Sequence, residues 1–170
     1  MANRFTNRKD YDMQEYLDRS FKISNGYTDH FMAALALSTS ELAETEYEID
    51  LAMWITSRDQ YRSGIGTVGF DISDMPWSIR SFDKQMVFML RAVNAAKSAR
   101  YFAKNPFLYE DGGALDKFRA LLEDFSVEFV KPEALENWKR IKPERQKCTE
   151  HGVYLNWSGC IVCHVGKLPD

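Results

Sequence analysis

Three cysteines, Cys148, Cys160 and Cys163, fall within sixteen residues of one another, and His151 stands among them. No other feature constrains the fold of this chain as tightly. An odd number of thiols cannot pair completely within one chain, so a disulfide framework is a poor explanation of the clustering. Metal ligation is a better one. Cys148-x-x-His151 and Cys160-x-x-Cys163 are two pairs with the same spacing, and each pair makes a tight turn that points two donors at one ion. Zinc takes four nitrogen or sulfur donors at tetrahedral corners, so one zinc ion held by Cys148, His151, Cys160 and Cys163 is expected. His164 competes for the fourth corner. The residue just after such a turn often needs a positive φ, which Gly152 provides after His151 and which His164 would have to provide after Cys163. On that comparison His151 is the ligand. Four protein donors leave no open position for water, so the site is structural rather than catalytic.

The eight residues between the pairs are long enough for a hairpin, and Val153, Leu155 and Trp157 alternate with Tyr154, Asn156 and Ser158 as a strand with one apolar face would. Gly152 after the histidine, with Tyr154 and Trp157 soon after it, gives the segment its character. It resembles the small Cys-x2-His-Gly…Cys-x2-Cys zinc-ribbon modules of bacterial and phage proteins. That resemblance covers residues 148–163, implies a zinc-bound β-hairpin, and carries no function with it.

Residues 1–147 read as helices joined by short breaks, so the expected fold is mainly α: a bundle of five or six helices, with residues 148–170 as a zinc-binding hairpin module packed on it. Apolar spacing predicts helices over Asp10–Phe21, Asp29–Leu37 and Glu41–Tyr61, the first ended by Asn25-Gly26 and the second capped by Thr28. Ser38-Thr39-Ser40 is expected to break the second from the third. Gly64, Gly66, Gly69 and Pro76 preclude a helix between residues 63 and 81, leaving a long loop pinned by Trp77 and Phe82, with weak strand signals near Thr67 and Phe70. Helix resumes near Ser81 and stops at Asn105-Pro106. A further helix is expected over Ala114–Val130, and a short last one opens on Pro132 and ends before Pro143.

Hydrophobic residues make up 45% of the chain and charged residues 28%, an ordinary globular balance. The apolar runs are too short to span a membrane, and the first residues lack the apolar stretch of a secretion signal, so a cytoplasmic protein is expected. Charge is unevenly placed. Residues 1–130 hold 15 basic and 20 acidic side chains, whereas residues 131–147 hold six basic against three acidic. This basic collar, with Trp138, Lys139, Arg140, Lys142, Arg145 and Lys147, is the candidate partner-binding segment.

Weaker patterns have plainer explanations. Glu41, Glu44 and Glu48 fall on one helical face near Asp29-His30, but the paired Glu-x-x-His motifs of a di-metal bundle site are absent, and a solvated acidic face accounts for them. Gly64-x-Gly66-x-x-Gly69 lacks the strand before it and the helix after it that a phosphate loop requires. No nucleophile and base come together, which weighs against an enzyme. The expectation is a non-enzymatic protein that binds another protein, with zinc shaping its C-terminal segment. The alternative is a nucleic-acid-binding accessory protein that uses the collar and the hairpin.

Overall fold

The computed structural model describes residues 2–8, 14, 19–98 and 113–165. It is mainly helical, with six α-helices and one small two-stranded sheet among the described residues.

The sheet departs from the all-helical pattern expected of residues 1–147. β1 (Ala2–Thr6) pairs antiparallel with β2 (Ser20–Ser24), placing Phe5 opposite Phe21 and Arg4 opposite Lys22. The aromatic pair stacks at 5.1 Å between ring centroids on the buried face, while the cations take the other. The helix expected over Asp10–Phe21 therefore does not extend to its predicted end, since Ser20 and Phe21 are strand. Apart from Gln14, residues 10–18 lie outside the described residues.

Asn25-Gly26 opens a helix rather than ending one. α1 (Asn25–Leu42) starts where Ser24 accepts a hydrogen bond from the Tyr27 amide, so Ser24 is the cap and Thr28 lies inside the first turn. Ser38-Thr39-Ser40 does not interrupt it. The Ser38 and Thr39 hydroxyls donate to the Leu35 carbonyl, at 3.2 and 2.6 Å, so buried hydroxyls are satisfied without breaking the helix ladder. α1 is buried almost all round from Thr28 to Ser40, which makes it the central element of the fold.

α2 (Glu46–Thr56) is shorter than the Glu41–Tyr61 segment expected. Thr45 caps it, and Glu48 folds back onto the Thr45 amide, a reciprocal capping box. Glu41, Glu44 and Glu48 consequently do not share a helical face: Glu41 ends α1, Glu44 lies in the break and Glu48 is used in the cap.

The long loop is present. It holds short 3-10 turns and isolated bridges, with Trp77 and Phe82 buried and the Trp77 indole donating to the Ile72 carbonyl at 2.8 Å. Gly69 passes so close to β1 that a Cβ there would lie 2.2 Å from the Arg4 carbonyl oxygen. α3 (Phe82–Ala96) starts as expected but ends at Ala96, capped by Lys97, short of the expected stop at Asn105-Pro106, which lies outside the described residues. α4 (Ala114–Asp124) ends six residues short of Val130, and Val127–Phe129 forms a separate 3-10 turn. α5 (Pro132–Ile141) opens on its proline, and the short α6 (Ile161–Val165) packs on α1. Val153, Tyr154, Ile161, Val162 and Val165 join the same apolar core as the helices.

Candidate metal centre

The four donors expected from the spacing come together. Cys148, His151, Cys160 and Cys163 place their ligand atoms within 4.8 Å of one another. The imidazole presents Nδ1 to all three sulfurs, at 3.7 Å from Cys148, 3.8 Å from Cys160 and 3.4 Å from Cys163. Cys148 and Cys163 are 3.9 Å apart, and all three thiols are free of disulfides.

Local backbone chemistry builds each half. After Cys148 the chain turns so that the Gly152 amide donates to the Cys148 carbonyl at 2.8 Å, with Gly152 at φ 68°. A side chain at that φ would be strained, which is why glycine follows the histidine. The Cys148 amide then donates to the Val153 carbonyl, and Lys147 bridges Tyr154. The second half differs from the first. Cys160 stands at the entry to α6, where the His164 amide donates to its carbonyl at 3.2 Å, and Cys163 and His164 are helical residues. No non-glycine residue among those described has a positive φ, so His164 does not take the left-handed exit that the comparison of the two turns assigned to it.

His164 is used elsewhere. Its Nδ1 lies 2.5 Å from Asp59 Oδ2, and its ring stacks on Tyr61 at 4.1 Å and 9°. The contact that separates the two histidines is therefore a buried aspartate, which no sequence spacing signals.

Without a cation, burial opposes the ionisation of all three thiols. Burial, with Cys148 and Cys163 close by, pushes the Cys160 thiol up to about 12, and burial raises that of Cys163 as well. Cys148 is also opposed by burial, but amide hydrogen bonds from His151 and Glu150 and its contacts with the His151 and Cys160 side chains bring it down to about 7. One thiolate is accessible near neutrality, and a positive ion at the centre is what would favour all three. Three sulfurs and an imidazole nitrogen at these separations are a donor set that can hold a metal ion.

Between Cys148 and Cys160 the expected strand alternation is not followed. Val153 is buried, but so are Tyr154 and Asn156, while Trp157 is 47% exposed. The pairing there consists of the isolated bridges Lys147–Tyr154 and Asn156–Gly159. Polar anchors explain the inversion. The Tyr154 amide donates to Ser40 Oγ at 3.1 Å, and Asn156 Nδ2 donates to the Thr56 carbonyl at 2.7 Å. Both residues are drawn inward to satisfy the ends of α1 and α2, and Trp157 is turned out. Ser40, Thr56 and Asp59 are thus the receiving groups for the segment that carries the four donors. The buried Ser38-Thr39-Ser40 run inside an apolar helix was their one trace in the sequence.

The basic collar is largely consumed within the molecule. Lys142 donates to Asp50 at 2.7 Å, and Asp50 also accepts from the Trp138 indole at 3.2 Å. Arg145 pairs with Glu46, and Lys147 donates to the Ser40 carbonyl at 2.8 Å and lies over the Tyr154 ring. Lys139 pairs with Glu136, and Arg140 donates to Asn137. Lys142, Arg145 and Lys147 fasten the 142–147 connection to α1 and α2, whereas the contacts of Lys139 and Arg140 stay within α5. Trp138 itself is 2% exposed. Of the earlier acidic candidates, Asp29 accepts hydrogen bonds from the Thr67 amide and hydroxyl, at 3.1 and 2.6 Å, so it is tied into the fold.

No helix among the described residues is long and apolar enough to cross a membrane. Comparison with protein-family models, curated proteins and solved structures finds no match.

Proposed function

We propose that this is a non-enzymatic protein that acts by binding another protein, and that one structural zinc ion holds the C-terminal element carrying the binding surface. The observation behind this is Trp157. A large aromatic that a metal-binding segment could have buried is instead 47% exposed, packed edge-on against the buried Trp138 at 6.3 Å and 76°. Ile141, 61% exposed, flanks the same Trp138 region at the end of α5. Exposed aromatics resting on a rigid base are what protein interfaces use as anchors.

The donor separations support zinc as the ion. A tetrahedron with Zn–S bonds of about 2.3 Å and a Zn–N bond of about 2.0 Å has edges of about 3.5–3.8 Å, close to the three sulfur–Nδ1 separations of 3.4–3.8 Å and to the 3.9 Å between Cys148 and Cys163. All four donors come from the chain, so a bound zinc would shape the segment rather than activate water. The internal pairing of Lys142, Arg145 and Lys147 favours a protein partner over nucleic acid, because those charges are already matched by Asp50 and Glu46 or by a backbone carbonyl.

A photo-crosslinking residue placed at position 157 in the producing cells is expected to trap a protein. The same probe at Val87, exposed on α3, serves as the control and should not trap it. Trapping of nucleic acid alone, or equal trapping from both positions, would overturn the reading. Elemental analysis should return about one zinc per chain.

A further inference from the structure

Beside this surface a cleft of ≈ 390 Å³ runs between the end of α2 and α5, with Trp54, Arg58, Lys131, Asn137, Trp138 and Ile141 on its walls. Its distinguishing group is Arg58. The guanidinium carbon lies 4.2 Å above the Trp54 ring. The one hydrogen bond that the guanidinium makes among the described residues is from Nη2 to Ser57 Oγ, at 3.1 Å, and its buried Nε has no partner. Guanidinium groups withdrawn from water are ordinarily matched by a carboxylate or phosphate, whose two oxygens fit the planar fork. Here no such match is made among the described residues. Burial also pulls the Arg58 pKa down, the sign of a desolvated cation, with only nearby Asp74 opposing it.

The acidic groups of the cleft do not supply the missing partner. Asp74 is bonded to Lys131 at 2.9 Å. Glu133 is exposed in the first turn of α5, where the helix N-terminus favours a carboxylate. The surroundings instead suit a side chain from outside. Two indoles line the walls, and the exposed Ile141 stands at the lip, so a carboxylate reaching Arg58 would pass between apolar surfaces.

We infer that this cleft receives an acidic side chain, aspartate or glutamate, of the bound protein partner, with the carboxylate gripped by Arg58 and the adjoining apolar residue of that partner resting on the exposed Ile141. This rests on the reading that the Trp157 face binds protein, and it names the chemistry the partner must bring.

The test uses the full-length zinc-loaded protein, labelled with nitrogen-15, and two blocked tetrapeptides, Leu-Glu-Leu-Glu and Leu-Gln-Leu-Gln, with inorganic phosphate as a third probe. The glutamate peptide is expected to give saturable shifts at the Trp54 and Trp138 indoles. The glutamine peptide should bind about tenfold more weakly, the difference that a charge-assisted hydrogen bond makes. Arg58→Gln should abolish the preference. Should that variant fail to fold, Asn137→Glu at an exposed position of α5 puts a like charge at the cleft and should weaken the glutamate peptide selectively. Equal binding of both peptides would overturn the assignment of Arg58 while leaving the protein-binding reading in place. Phosphate binding more tightly than the glutamate peptide would make this an inorganic-anion site and overturn the partner assignment. Absence of any saturable shift up to about 10 mM peptide would also overturn it.

Discussion

Replacing His164 with alanine separates the two histidines of the metal-binding segment, because the structure gives them different work. His164 Nδ1 is 2.5 Å from Asp59 Oδ2, and the Asp59 side chain is 2% exposed. Removing the imidazole leaves a buried carboxylate oxygen without its partner, which costs about 1–3 kcal/mol. The stack on Tyr61 at 4.1 Å is lost as well, adding about 0.5–1.5 kcal/mol. Their sum centres near 3 kcal/mol, which in a chain of 170 residues corresponds to a fall in melting temperature of about 6–12 °C. The metal should stay, since Cys148, His151, Cys160 and Cys163 are untouched. His151→Ala should show the opposite pattern, with metal lost because one of four donors is gone. Thermal melts followed by circular dichroism, with metal per chain measured on the same samples, check both. If His164→Ala strips the metal while His151→Ala retains it, the assignment of donors is wrong. If His164→Ala changes neither stability nor metal content, the reasoning about buried Asp59 is refuted.

Other perturbations test the frame around the centre. Gly69→Ala would drive a Cβ to 2.2 Å from the Arg4 carbonyl oxygen; backbone must shift, and a loss of more than about 3 kcal/mol in urea unfolding is expected, with metal content unchanged. Asp71 is buried, and burial raises its carboxyl pKa while the Ser73 amide and hydroxyl hold one oxygen. Its folded pKa therefore lies above the unfolded one, so ionisation weakens the fold as pH rises through that interval. Asp71→Asn is expected to be the more stable protein near neutrality, and the gap should close below about pH 4, where wild type is protonated in both states. Urea unfolding across that pH range measures it, and a gap that widens in acid would contradict the sign. Chelation of the metal should speed hydrogen exchange at the Tyr154 amide, which is held by Ser40 Oγ, and spare the Leu35 amide in the middle of α1; equal rates with and without metal would show that the ion does not hold the segment in place.

The helical character of the chain was legible because α3, α4 and α5 each carry an apolar stripe at helical spacing, and Pro132 marks one start plainly. α1 was misjudged for the converse reason. A helix buried on nearly every side has no polar face to set a period, and its three hydroxyl residues resemble a break unless the bonds of Ser38 and Thr39 to a carbonyl a turn earlier, and of Ser40 to the Tyr154 amide, are known. β1 and β2 are five residues each and take their stability from Phe5 and Phe21 packing on Phe31. That is a tertiary contact, and a short window cannot contain it.

The donor cluster was readable because metal spacing is local, four donors in two pairs of the same spacing, one in a turn and one at the start of α6. The surface beside it was not, because every group that turns Trp157 outward lies far away in the chain. Asn156 is drawn in by Thr56, Tyr154 by Ser40, and His164 by Asp59. Alternation along the strand predicts Trp157 inward; the anchors decide otherwise, since a buried main-chain carbonyl or carboxylate left unpaired costs more than exposing part of one indole. The same accounting revises the basic collar. A run of cations reads from sequence as a charged face awaiting a polyanion, yet Asp50 and Glu46 on α2 already receive Lys142 and Arg145. Arg58, whose buried Nε has no partner among the described residues, sits outside that run, in a stretch whose composition draws no notice. Charge in this protein is informative about partners only after the internal pairs have been subtracted.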